Sequence, residues 1–167
     1  MKISIEPVIT SQHVASLADL AKTIWNQHFV SIIGQEQVDY MLKKFQSIEA
    51  IRSQLSSGYE YYLAMNDQKP VGYIGLIPND PPGKLMLSKI YVKDSSRGIG
   101  LGKTLLEFTR KRALESHAKT IWLTVNRDNS RTIEWYKKRG FVVKDELKKD
   151  IGSGFFMDDY IMECEIG

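Results

Sequence analysis

The sequence predicts an α/β (α+β) fold: a mixed, mostly antiparallel sheet of six to seven strands flanked by helices. Three observations carry this. Apolar residues recur at helical spacing up to about Leu55 and at strand spacing from Tyr59 on. The loop Asn79-Asp80-Pro81-Pro82-Gly83 separates runs of strand length. Beyond it, strands and helices alternate, so the order is one strand, helices, then β-β-β-α-β-α-β-β. The chain has 167 residues, 43% hydrophobic and 26% charged. That is enough for one buried core and short for two, so residues 1–167 read as one domain, and a disordered chain is excluded.

The elements follow in order. Lys2 to Val8 alternates through Ile3 and Ile5 to Pro7, as a first or edge strand does. Thr10 and Ser11 supply caps for a helix whose apolar face is Val14, Leu17, Ala21, Ile24, Trp25 and His28. A second stripe after Gly34 takes in Val38, Met41, Leu42, Phe45 and Ile48, and a short helical turn runs to Leu55, ended by Ser56-Ser57-Gly58. Tyr59 to Met65 and Val71 to Ile77 form a hairpin around Asn66-Asp67-Gln68. Leu85 to Val92 is a third strand, with Leu85, Leu87, Lys89 and Tyr91 on one face. A helix from about Gly100 to His117 buries Leu101, Leu105, Leu106, Thr109 and Ala113, leaving Arg110-Lys111-Arg112 as a solvated face. Thr120 to Val125 is a strand bounded by Asn126, and Asn129 to Arg139 a helix stopped by Gly140. Phe141 to Leu147 and Phe155 to Glu165 close the sheet.

Composition excludes several classes. Cys164 is the one cysteine, so no disulfide scaffold exists, and a reducing cytoplasm is the expected compartment. No run approaches the roughly 18–20 apolar residues of a membrane span, and Met-Lys-Ile-Ser-Ile-Glu-Pro alternates as a strand rather than a signal peptide. The net charge of +3 names no nucleic-acid partner. His, Cys and carboxylates show no metal-ligand spacing, so no metal is expected.

The strongest local pattern is Arg97-Gly98-Ile99-Gly100-Leu101-Gly102-Lys103-Thr104, after a strand and opening a helix. Glycines let the backbone turn tightly and approach a ligand, and the first helical turn then presents N–H groups to an anion. No residue from Gly98 to Thr104 is proline, so each has an N–H to donate, and Lys93, Arg97 and Lys103 add positive charge. A tight strand-to-helix connection alone would account for the same glycines. The Walker A and dinucleotide-binding spacings do not fit, because position 97 is Arg and 103 is Lys.

Arg97-x-x-Gly100-x-Gly102 between strand and helix resembles the acyl-CoA pyrophosphate loop of the GNAT family of N-acetyltransferases. The segment Asn126-Arg-Asp-Asn129-Ser-Arg-Thr132-Ile-Glu-Trp-Tyr136-Lys-Lys-Arg-Gly140-Phe141 is similar to that family's next motif, one helix and one strand further on. The ending Gly154-Phe-Phe-Met-Asp-Asp-Tyr-Ile-Met-Glu looks most like small bacterial members, including polyamine acetyltransferases.

The resemblance implies the acyl-CoA N-acyltransferase fold and transfer of acetyl from acetyl-CoA to a primary amine of a small molecule or peptide. It assigns the pyrophosphate to Arg97, Gly98, Ile99, Gly100, Leu101, Gly102, Lys103 and Thr104. The strand backbone at Ile90, Tyr91 and Val92 faces the pantetheine arm, with an N–H near Val92 for the oxyanion. Asn129, Thr132, Tyr136 and Lys138 complete the cofactor residues. Tyr136 is the candidate general acid, since an ordinary phenol (~10) stays protonated where a thiol (~8.5) ionises. Packing against the sheet is the plainer role for Trp135 and the alternative for Tyr136, and an N-cap is the alternative for Asn129.

The family's carboxylate on the strand before the loop is missing, for the matching positions read Leu87-Ser88-Lys89. Ser88 with a water, Glu60, Glu36, Asp39 or water alone are the remaining bases. His28 reads as a core-edge residue, His13 and His117 as surface, Cys164 as buried and Asp158-Asp159 as a solvated loop. No nucleic acid and no membrane is expected as a partner, while the aromatic last strands and their edges suit a homodimer. A protein of the same fold that senses acyl-CoA with little catalysis, and a nucleic-acid-binding module using the basic helix, are the other function classes.

Overall fold

The structure, a computed structural model, describes residues 2–166. Seven strands are ordered β1-β2-β3-β4-β5-β7-β6, mostly antiparallel, with helices between them. The chain divides into two compact units. The first runs to Ile77 and also takes Lys89–Thr109; the second takes Pro78–Ser88 and the chain from Arg110 on.

In the first unit, β1 (Ile3–Pro7) is the edge strand, paired antiparallel with β2 (Glu60–Asn66). Helix α1 (Ser11–His28) is capped by Thr10, whose hydroxyl accepts the His13 N–H while His13 Nδ1 accepts the Thr10 N–H. His13, expected merely at the surface, closes this capping box. The buried face of α1 is Val14, Leu17, Leu20, Ala21, Ile24 and Trp25, with His28 half-buried at its end.

A four-residue helix α2 (Val30–Ile33) follows, too short to show a stripe in the sequence. In α3 (Gln35–Phe45), Val38 and Met41 are buried. Ile48 does not belong to that stripe: Ser47 caps a separate helix, α4 (Ile48–Ser56), and Ile48 is exposed in its first turn. The segment ending at Ser56 is therefore a full helix rather than a turn.

β2 and β3 (Lys69–Pro78) form the hairpin, with Asp67 and Gln68 both at positive φ, the geometry of a two-residue turn that matches strand twist. Gly72 of β3 has a steric reason: a Cβ there would lie 2.8 Å from the Tyr91 carbonyl oxygen of β4 (Lys84–Val92). Strand β4 leads through a 3₁₀ turn, Asp94–Ser96, to α5 (Leu101–Glu115). All five expected residues of α5 are buried, from Leu101 to Ala113.

In the second unit, β4 pairs parallel with β5 (Thr120–Asn126) over Lys84–Met86 only. Helix α6 spans Ser130–Lys137, shorter than Asn129–Arg139, and Gly140 at φ +94° ends the turn that follows. β6 (Val142–Gly152) runs well past Leu147, and β7 (Phe155–Glu165) lies between it and β5. β6 was hard to delimit because it is exposed on both faces and carries no period of two. Asp158 and Asp159 sit inside β7, not in a loop, because Asp159 is held in register opposite Asn126. Arg110 is not simply solvated either, since its guanidinium donates to the Arg139 carbonyl at 2.7 Å.

Lys89 is the notable core residue of the first unit, 7% exposed. Strand alternation puts it on the face of Leu85 and Leu87. Its Nζ donates to the Phe45 carbonyl (3.1 Å), to Gln54 Oε1 (3.3 Å) and to the Tyr61 hydroxyl, and lies over the Tyr59 and Tyr61 rings. Burial lowers its pKa from 10.5 to about 7 and pushes the Tyr61 phenol well up.

The unfolded chain binds the lysine proton more tightly, so the stability linked to Lys89 is full above pH 10.5 and is lost as pH falls towards 7. The Tyr61 contribution is present below about pH 10 and lost above it. Urea midpoints should therefore rise between pH 7 and 9.5, on the order of 1 kcal/mol per pH unit, and Lys89→Met should flatten that rise. A variant profile as steep as the parent's would contradict the burial of this amine.

Candidate functional site

The first unit holds the glycine turn. β4 is fixed where it ends: Lys93 N–H donates to Val71 O at 2.8 Å, and Tyr91 packs edge-on against Trp25 and Phe29 and tilted against Tyr73. Trp25 Nε1 donates to the Tyr73 hydroxyl, which donates to Gln46 Oε1, so this aromatic wall is tied by polar groups. Successive strand N–H groups point to opposite edges, so Val92 directs its own away from β3, where Lys93 donates.

After the 3₁₀ turn, Gly98 and Gly100 take φ +85° and +77°, a region that side chains resist, and a Cβ at either would meet nothing within 4 Å. The glycines are thus required by backbone conformation, and the space beside them is open. Thr104 N–H and its hydroxyl both donate to the Gly100 carbonyl, which starts α5. Among the described residues, the N–H groups from Gly98 to Lys103 donate to no group of the chain. Those donors, at the positive end of a fifteen-residue helix, fit a diphosphate.

Charge around the turn is smaller than the sequence suggested. Arg97 Nε lies 3.2 Å from Asp94 Oδ1 and also reaches the Val92 carbonyl, so one cation of three is paired. Lys103 and Ile99 are exposed, Lys93 half-buried and Leu101 buried beneath the turn.

The second unit holds the other expected residues on or beside α6. Asn126 Oδ1 accepts the Asp128 N–H, and Asn129 N–H donates to the Asn126 carbonyl, which sets the helix start. Asn129 occupies the N-cap position and is buried, but its side chain makes no capping hydrogen bond. The capping role of its side chain is thereby corrected. Thr132 is half-buried and Lys138 exposed at the C-cap. Tyr136 is 5% exposed, its ring against Trp135 and Phe141. Trp135 itself is half-buried, with the Arg139 guanidinium 4.0 Å from its ring centroid.

Two titratable groups escaped the sequence reading: Lys89 and Asp159. The signal for Lys89 was its parity with Leu85 and Leu87. Asp159 is buried in β7, where burial pushes its carboxyl up to about 6 against the lowering effect of a hydrogen bond with Thr124. Of the carboxylates considered as bases, Glu60 accepts the Tyr62 hydroxyl, and Glu36 and Asp39 are exposed on α3. Among the described residues no His, Cys, Asp and Glu cluster is arranged to hold a metal ion, and no helix is long and apolar enough to cross a membrane.

A glycine turn with outward N–H groups stands between a strand and a long helix in the mixed sheet of an α+β protein. Residues 18–141 match the acetyltransferase (GNAT) family model, and the chain belongs to that family. An uncharacterized N-acetyltransferase of the pepI 3′ region of Lactobacillus delbrueckii subsp. lactis is 29% identical over 107 residues. That match covers 56% of this chain and spans 62% of the length of the relative. The PaiA N-acetyltransferase of Thermoplasma acidophilum, solved in complex with coenzyme A, is similar over 99% of both chains, with a TM-score of 0.80 and 26% identity. A GNAT-family acetyltransferase of Staphylococcus aureus Mu50 is similar over 99% of this chain and all of its own, with a TM-score of 0.73 and 25% identity.

Gly100→Ala should lower stability by about 1 kcal/mol, because a side chain is forced to positive φ. Gly100→Asp should in addition weaken coenzyme A binding in calorimetry by at least about tenfold, as a carboxylate then faces the diphosphate. Unchanged affinity in Gly100→Asp would contradict the assignment of this turn.

Proposed function

We propose that residues 1–167 act as one N-acetyltransferase domain, moving acetyl from acetyl-CoA to a primary amine by direct attack in a ternary complex. The observation that carries this reading is the row of uncommitted N–H groups from Gly98 to Lys103 at the start of α5. Family membership supports it, as does similarity to a protein solved with coenzyme A. Bound acetyl-CoA would supply an activated acetyl thioester.

The chain's own groups then have distinct tasks. Arg97 to Thr104 hold the diphosphate. Backbone groups of Ile90, Tyr91 and Val92, at the end of β4, receive the pantetheine amides. The Val92 N–H stabilises negative charge on the carbonyl oxygen, a contribution of roughly 3–4 kcal/mol for a preorganised donor. Tyr136 gives its phenolic proton to the departing thiolate, while Asn129, Thr132 and Lys138 orient the cofactor from α6.

The acceptor is a polyamine, another small amine or a peptide amine. A free alkylamine is almost fully protonated at pH 7, and freeing it costs about 4–5 kcal/mol. The strand carboxylate that would take that proton is replaced by Ser88, which is suited to orienting a water. This absence is what favours the second reading, a sensor that binds acyl-CoA and turns it over slowly.

Thiol release from acetyl-CoA, measured against a panel of polyamines, small amines and peptides, separates the two. Amine-stimulated release is expected, with Tyr136→Phe lowering kcat roughly 10²-fold at unchanged coenzyme A affinity. Binding of coenzyme A with no stimulation by any amine would favour the sensor and overturn the enzyme.

A further inference from the structure

We propose that β6 is a self-association edge: two copies of this chain pair their β6 strands antiparallel about a two-fold axis at Leu147. β6 is the terminal strand of the sheet order and pairs with β7 alone. It is eleven residues long and almost wholly exposed, with Leu147 half-buried at its midpoint. Between its two register shifts against β7, the run Asp145–Asp150 is regular.

The backbone limits the registers available. Glu146 N–H donates to Asp145 Oδ1 at 2.8 Å, so it points away from β7, and alternation turns the Lys148 N–H the same way. Antiparallel pairing must set outward residues opposite outward residues, so a two-fold axis has to pass through a residue and not between two.

Centring on Leu147 sets opposite charges together: Asp145 with Lys149 inside the regular run, Glu146, which also holds Arg127 of its own chain at 3.0 Å, with Lys148, and Lys144, at the first register shift, with Asp150. Each pair occurs twice by symmetry. Centring on Glu146 would instead set Lys144 against Lys148, and centring on Lys148 would set Glu146 against Asp150. Charged edge strands ordinarily repel other edges, and here the same charges admit one partner, a second copy in one register.

The strand ends supply apolar area. Val142 and Val143 are 50% and 41% exposed, and Phe156, in register with Asp150, is 48% exposed. In the antiparallel pair the valines of one copy come to the end of the hairpin that carries Phe156 in the other.

Sedimentation velocity of the full chain over a range of concentrations tests this with three variants. The parent is expected as a dimer that dissociates with added salt. Asp145→Lys and Lys149→Glu, each creating two like-charge contacts, should raise the dimer dissociation constant at least about tenfold. The double variant Asp145→Lys/Lys149→Glu should return it close to the parent value. Circular dichroism checks that all four proteins are folded. A monomeric parent, a dimer indifferent to the single reversals, or a double variant as weak as the singles would each overturn the proposal.

Discussion

The left-handed backbone at Gly98 and Gly100 is the constraint on which the site depends. Two residues at positive φ turn the chain from the end of β4 into α5 with the first helical N–H groups facing outward and unspent. Everything upstream serves to hold that turn in place. Gly72 lets β3 approach the Tyr91 carbonyl, Lys93 N–H is tied to Val71, and Tyr91 is clamped by Trp25, Phe29 and Tyr73. Downstream, the buried stripe from Leu101 to Ala113 fixes the helix.

In the proposed site, backbone dipoles rather than side-chain charge are the main attraction for an anion. Asp94 pairs with Arg97, leaving Lys93 and Lys103 as the unpaired cations beside the turn. Among the described residues the one strongly buried cation, Lys89, is two residues before Tyr91 and belongs to a different task. It joins the carbonyl end of α3 to Gln54 of α4 and Tyr61 of β2, and it does so as an amine held near neutrality by burial. The strand proposed to face the cofactor therefore also carries the polar clasp of the helices packed on it.

Much of this was legible in the sequence because it rests on local rules. The α5 stripe follows from a 3.6-residue period, the hairpin from a turn that needs two left-handed residues, and the glycine turn from glycines where no side chain is tolerated. The residues that hid are those whose role is set by distant partners. Nothing local announces that Lys89 meets Phe45 and Gln54, or that Asp159 lies against Thr124 of β5. β6 hid for the opposite reason: with neither face buried, its residues carry no period, and α2 spans one turn, less than a stripe requires. Tyr136 stands out in the sequence only through its motif, and its burial between Trp135 and Phe141 reflects the helix face it occupies.

The most direct measurement is a backbone-amide NMR titration of the protein with coenzyme A. The account predicts that the N–H signals of Gly98, Ile99, Gly100, Leu101, Gly102 and Lys103 move together and saturate with one affinity, as uncommitted donors acquire a common acceptor. Saturable binding that leaves those six signals in place would contradict it.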